Sequence, residues 1–215
     1  MHKRAGFMLL LLLLSFAMVW GCSSTVLVPV PPRMDLRGYG TLGIIEFASN
    51  ADPAINTRAT RQFQEHIQAA QPGTRFVELG SREAVLAALG SRQLDVDTLK
   101  QVGAKFGVDA IFLGDITYSE PKTDIDLKDL TKLEGKVRTE IRGDMTSRLV
   151  ETRTGASVWS NSAWATRQIG RLSVSAEQGV SGRMSQGNDR EEMVPTLIHY
   201  LTGDFRPTSI RQRVK

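Results

Sequence analysis

The chain has 215 residues, 41% of them hydrophobic, a formal net charge of +4 and a single cysteine. That length supports one globular domain of ordinary size, and one cysteine excludes an intramolecular disulfide framework. Much of the positive balance sits in the first residues, so the composition does not point to nucleic acid.

Lys3 and Arg4 precede an unbroken apolar run from Phe7 to Leu14 that continues loosely to Val19. A run this short reads as an export signal, since a membrane span needs roughly 20 apolar residues. Val19-Trp20-Gly21-Cys22 resembles the lipobox of bacterial lipoproteins, with Trp20 where a small residue is usual. The resemblance implies cleavage before Cys22 and lipid on its sulfur, which accounts for a cysteine without a disulfide partner. An ordinary secretory signal is the alternative. Loss of residues 1–21 takes away Lys3 and Arg4 and leaves a formal charge of about +2. Ser23 and Ser24 follow the cysteine in place of an inner-membrane retention Asp, so the resemblance implies the outer membrane, with the domain facing the periplasm. Pro29, Pro31 and Pro32 then mark residues 22–40 as an extended tether.

A domain is expected over residues 41–205. Leu42–Phe47 reads as a buried strand, and Asp52-Pro53 caps a helix whose Ile55, Ala59, Phe63 and Ile67 share one face. Arg75–Leu79 is a second strand. Two helices follow, one from Ser81 with Val85, Leu86 and Leu89, the other capped near Asp97 with Leu99, Val102 and Phe106; Gly90 and Gly107 close them. Ala110–Tyr118 is the predicted central strand. Residues 119–135 are charged and turn-like, with a short helix expected around Leu127, Leu130 and Leu133. Val137, Thr139, Ile141, Met145 and Leu149 then alternate with charged residues, the pattern of a half-exposed antiparallel strand, and residues 156–168 return as its hairpin partner after the Thr154-Gly155 turn. A Gly- and Ser-rich mobile loop is expected over about 170–190. A last helix from Asp189 is expected to pack Met193, Leu197, Tyr200 and Leu201 on the sheet, before a basic tail over 206–215. The order β-α-β-α-α-β-β-β-α fits an α/β (α+β) fold, a mixed sheet with helices mainly on one face.

Gly107-Val108-Asp109-Ala110-Ile111-Phe112-Leu113-Gly114 resembles a Gly-x-Asp-Ala-hydrophobic-x-x-Gly signature of the amino-terminal domain of TolB-like proteins and of curli-secretion (CsgG-like) lipoproteins. Leu149–Trp159, with its Thr-Gly turn, is similar to a hairpin of the same families. The resemblance implies a periplasmic α/β domain that binds other envelope components. A CsgG-like secretion channel is disfavoured, because residues 119–135 and 170–190 show no lipid-facing apolar side.

No catalytic constellation stands out. Gly38-Tyr39-Gly40-Thr41-Leu42-Gly43 matches G-x-G-x-x-G but lacks a preceding strand and a following helix. Asp109 and Asp115, six residues apart on a strand, stand roughly 20 Å apart and cannot share a water; Asp109 is expected to hold backbone donors. Asp124, Asp126 and Asp129 lack the Gly and bidentate Glu of a calcium loop. His66 and His199 have no ligand-spaced neighbours, so no metal or cofactor is expected. Trp159 and Trp164 have opposite parity on one strand, so one of them should point away from the core. That tryptophan, beside Arg138, Arg142 and Arg148, would make a partner patch; helices over both faces are the even alternative. Arg206, Arg211, Arg213 and Lys215 read as a solvated tail or a contact with anionic lipid. The leading expectation is a non-catalytic outer-membrane lipoprotein that binds other envelope proteins, possible self-association included. A lipid- or glycan-carrying accessory lipoprotein and a CsgG-like oligomer stand behind it.

Overall fold

The computed structural model describes residues 25–129, 134–175, 179–185 and 187–213, so Cys22 and the export signal lie outside the described residues. The chain divides into a body, Pro32–Arg206, and a unit formed by the segments on either side of it. In that second unit β1 (Thr25–Val30) pairs antiparallel with β10 (Thr208–Arg213), from Thr25 opposite Arg213 to Val30 opposite Thr208. The expected tether and tail are therefore partners in a two-stranded ribbon. Alternating Val26, Val28 and Val30 suit a strand, and Pro29 is tolerated because both strands are edges.

The body is built on a mixed sheet of order β4-β2-β5-β7-β8-β9. Its parallel part is β2 (Leu42–Ile45), β4 (Phe76–Gly80) and the central β5 (Ala110–Tyr118), with the short β3 (Ala48–Ser49) also on β5. β7 (Glu134–Glu151) and β8 (Ser157–Ser175) form a long antiparallel hairpin that joins the sheet along β5. Helix α1 (Pro53–Ala70) starts where expected: the Asp52 carboxylate accepts from the Ala54 amide at 2.8 Å with Pro53 in the first turn. Helices α2 (Arg82–Leu89) and α3 (Val96–Phe106) end at left-handed Gly90 and Gly107, and Asp95 rather than Asp97 caps α3. Helix α4 (Asp189–Leu201) runs into a 3-10 turn, Thr202–Phe205.

The two long helices, α1 and α4, cover one face of the sheet over the larger core, so the helical packing is mainly on one side. Ile55, Ala59, Phe63 and Ile67, the predicted face of α1, are all buried there. An aromatic chain runs through this core from Phe47 to Phe63 (5.1 Å between ring centres), Phe112 (5.2 Å), Trp159 (6.0 Å) and Phe205 (4.7 Å). The shorter α2 and α3 cover part of the other face, over Ile111, Leu113 and Val150. Within the Gly-x-Asp-Ala segment three residues have a clear structural reason. Gly107 takes φ +66 at the end of α3, Asp109 accepts from the amides of Gly40 (2.8 Å) and Thr41 (3.1 Å), and Gly114 leaves room for the Phe47 ring, which a Cβ would approach to 1.8 Å. The segment 38–43 leads into strand β2, not a helix, and its Gly40 serves this carboxylate bond.

Four expectations are corrected. Residues 122–129 form strand β6 on β7 instead of a turn with a helix, Leu130 and Leu133 lying outside the described residues. Residues 170–175 continue β8, and β9 (Gly179–Met184) pairs back on them where a mobile loop is expected. In both stretches pairing to a neighbouring strand satisfies the backbone and outweighs local composition. Third, the register places Thr123, Ile125, Val137, Thr139 and Leu172 on one side of this four-stranded arm, with Lys122, Asp124, Asp126, Lys136, Arg138, Glu140, Arg171 and Arg183 on the other. The arm thus has an apolar side, with Ile125 65% and Leu172 38% exposed. Fourth, the body begins before residue 41. Buried Leu36 donates its amide to Gln71 Oε1 at 2.8 Å, and Gln71 Nε2 donates to the carbonyls of Met34 and Phe205.

Candidate partner-binding face

Beyond Leu113 no helix of the described residues lies over the second face of the sheet, where the inward-turned positions give way to polar ones. Asp115 and Thr117 on β5, Arg142, Asp144, Thr146 and Arg148 on β7, and Ser160, Ser162, Trp164 and Thr166 on β8 follow one another at every second residue on this side. Residues 141, 145 and 149 alternate with them into the core.

Trp164 stands opposite Asp144 and is 59% exposed. The Arg142 guanidinium lies 4.8 Å from the centre of its ring. It is held there by a two-pronged bond to Asp144, Nε to Oδ2 at 2.8 Å and Nη2 to Oδ1 at 2.6 Å. This hydrogen bond keeps the Asp144 carboxyl below the usual carboxylate range and raises the guanidinium further. The stacked cation thus arrives pre-oriented, with little side-chain entropy left to lose on contact.

The opposite-parity expectation for the tryptophans is met. Trp159 is 8% exposed, packs on Phe112 and Phe205, and donates Nε1 to Asp204 at 3.2 Å. It belongs to the core and not to the exposed patch. Arg138 and Arg148 share the face with Arg142, but six and four residues of strand separate them from Asp144, roughly 20 and 13 Å. Of these three arginines, only Arg142 stacks on Trp164.

Tyr200 is a residue that sequence reasoning misplaces. It is 59% exposed, while the buried stripe of α4 is Met193, Val194, Leu197, Ile198 and Leu201. Its spacing from Leu197 mimics a core position, yet it falls at the stripe's margin. With Thr196 and with both parities of β8, Ala163 and Ala165 on the covered side and Ser162, Trp164 and Thr166 on the open side, it lines a groove of about 510 Å³ that runs along the edge of that strand. β9 pairs with β8 only from Gly170 to Ser175, so among the described residues the outer edge of 157–168 has no strand partner. The groove therefore combines two exposed aromatic rings with open backbone donors and acceptors.

Among the described residues no three His, Cys, Asp or Glu side chains stand close enough to hold a metal ion, and no helix is long and apolar enough to cross a membrane. Asp124 and Asp126 are exposed on β6, and Asp115 pairs with Arg82 at 3.2 Å. His66, on α1, faces the turn after α4, its Nδ1 3.5 Å from Thr202 Oγ1, and His199 Nδ1 is 3.2 Å from Arg206. Burial, then the nearby Arg206 and His199, lower the pKa of His66.

No family model matches the chain, and no curated protein matches its sequence. Among solved structures it is similar to the PelC dodecamer from Paraburkholderia phytofirmans, with 13% identity, a TM-score of 0.41, and 85% of this chain and 98% of that one covered. Lipoprotein GNA1162 from Neisseria meningitidis (15% identity, TM-score 0.36, 60% and 83% covered) and the LpoB C-terminal domain from Salmonella enterica (11%, 0.36, 58% and 81%) are also similar. Bacterial lipoproteins are thus among its structural neighbours. Likeness at this level assigns no family, and function is argued from the chain's own residues.

Proposed function

We propose that the protein is a non-catalytic accessory lipoprotein of the bacterial outer membrane, anchored by lipid on Cys22, whose periplasmic body docks another envelope protein through the face centred on Trp164. The observation that carries this reading is the Trp164–Arg142 pair, an exposed ring and an oriented guanidinium on an uncovered sheet face beside an unpaired strand edge. Tryptophan and arginine are the residues in which binding energy concentrates, and an open edge adds main-chain hydrogen bonds. Lipid on Cys22 would hold this face within reach of membrane-bound partners.

A photo-crosslinking residue at Thr166 or Ser162 in intact envelopes tests it. A discrete crosslinked protein that disappears in Trp164→Ala is expected. No adduct at either position, with adducts at the remote Lys100, would overturn the reading. The anchor is tested separately by mass spectrometry of the mature protein, which should show lipid on Cys22, and by Cys22→Ser, which should release the protein from the membrane.

A second reading, an oligomeric secretion component, draws support from the arm, whose exposed Ile125 and Leu172 lie opposite a charged side. A ring in negative-stain images of the detergent-extracted protein would favour it. A monodisperse single copy would remove it.

A further inference from the structure

Where α2 and the turn after it approach the open face, a cleft of about 450 Å³ opens beside β5 and β7. Three arginines line it: Arg82 from the first turn of α2, Arg92 from the turn between α2 and α3, and Arg148 from β7. Asp115 is the one carboxylate among the lining residues. It pairs with Arg82, Nη2 to Oδ1 at 3.2 Å, whereas Arg92 and Arg148 make no ion pair among the described residues. The lining therefore carries a surplus of two positive charges. Arg82 Nε is in addition buried without a hydrogen-bond partner among the described residues.

The rest of the lining is mixed. Leu86, Leu94 and Leu113 supply apolar surface, which strengthens a charged hydrogen bond made against it. Gln93, Thr146 and Ser160 supply amide and hydroxyl groups that both donate and accept. Planar guanidinium forks match the paired oxygens of a carboxylate or phosphate, and hydroxyl-rich walls match a polyhydroxylated body. A cleft of this volume falls in the range of small-molecule sites.

We infer that this cleft binds the carboxylate or phosphate group of a small polyhydroxylated molecule, of the size of an acidic sugar, with Arg92 and Arg148 as its principal anion contacts. The cleft shares Asp115, Thr146, Arg148 and Ser160 with the open face but lies four residues along β7 from the Trp164 contact, from Asp144 to Arg148, and its anion binding is read on the isolated chain, without a protein partner.

Calorimetric titration of the full chain in nonionic detergent tests it, with glucuronate, glucose 6-phosphate and uncharged glucose as probes. At least one of the two anions is expected to bind at least about tenfold tighter than glucose at low ionic strength, and to weaken as salt is added. The tighter of the two identifies the carboxylate or the phosphate as the recognised group. Arg92→Gln and Arg148→Gln should each weaken that binding about tenfold, while Arg61→Gln on the distant α1 leaves it unchanged. Both side chains are exposed, so unchanged melting temperatures are expected for the two variants. Equal affinity for glucose and for both anions would overturn the proposal, as would anion binding that neither arginine variant weakens.

Discussion

The same two strands, β7 and β8, present two opposite surfaces. On one, Ile141, Met145, Leu149, Trp159 and Ala163 lie under α1 and α4 and are buried. On the other, Arg142, Asp144, Thr146, Ser162 and Trp164 meet solvent. The backbone and the hydrogen-bond ladder are common to both, so the difference lies wholly in which parity a helix covers. It teaches that the two tryptophans, five residues apart, do different work: one fills a core and the other offers a contact.

The sharpest test of that contrast is the pair of alanine substitutions. Trp159→Ala is expected to lose about 3–5 kcal/mol of stability, because a large ring is removed from between Phe112 and Phe205. Trp164→Ala should stay within about 0.5 kcal/mol and lose only the crosslinked partner. Equal destabilisation in denaturant melts would break the distinction. Next comes Gly114→Ala on β5, which forces the Phe47 ring from its place in the covered core at a cost of about 1–3 kcal/mol. Thr152→Val follows. Its hydroxyl is buried and bonds the carbonyls of Val108 (2.8 Å) and Asp109 (2.9 Å), so a loss of about 1–2 kcal/mol is expected.

The smallest effect concerns the rim of the covered side. Because the folded state lowers the His66 pKa below its ordinary value near 6.5, the unfolded chain takes up the proton first as pH falls. His66 therefore detracts nothing above that value, and stability declines as pH drops through 6.5 toward the depressed folded value. Denaturant midpoints at pH 7.5 and 5.5 should fall further for the natural chain than for His66→Gln; parallel declines would show that His66 is not responsible.

Much of the body was legible because its signals are local. Asp52-Pro53 announces α1, its four-residue apolar spacing names the buried face, and strict alternation from Val137 to Leu149 gives β7 and the parity of both tryptophans. What escaped depends on partners distant in the chain. β6 does carry a local signal, since Thr123, Ile125 and Leu127 alternate with charged residues, but its charge masks it, whereas nothing within Gly179–Met184 marks β9 as a strand until β8 extends to meet it. The ribbon joins residues 25–30 to 208–213, the two ends of the described chain. Arg82, Arg92 and Arg148 fall on three separate elements and converge only in the fold. The open strand edge beside Trp164 is likewise a property of topology, since it exists only because β9 stops at Gly170 on its partner strand.

The ribbon changes the mechanical character of the segment that follows Cys22. Ten residues of unpaired tether would behave as a leash, with a fluctuating span of roughly 18 Å. Six residues paired across their whole length form a strut of about 20 Å instead, beginning three positions after Cys22. Arg211 and Arg213 stand opposite Leu27 and Thr25, at the end of the ribbon nearer Cys22 in sequence. A traction force applied at Cys22 would travel along β1 alone, with β10 riding beside it as a splint.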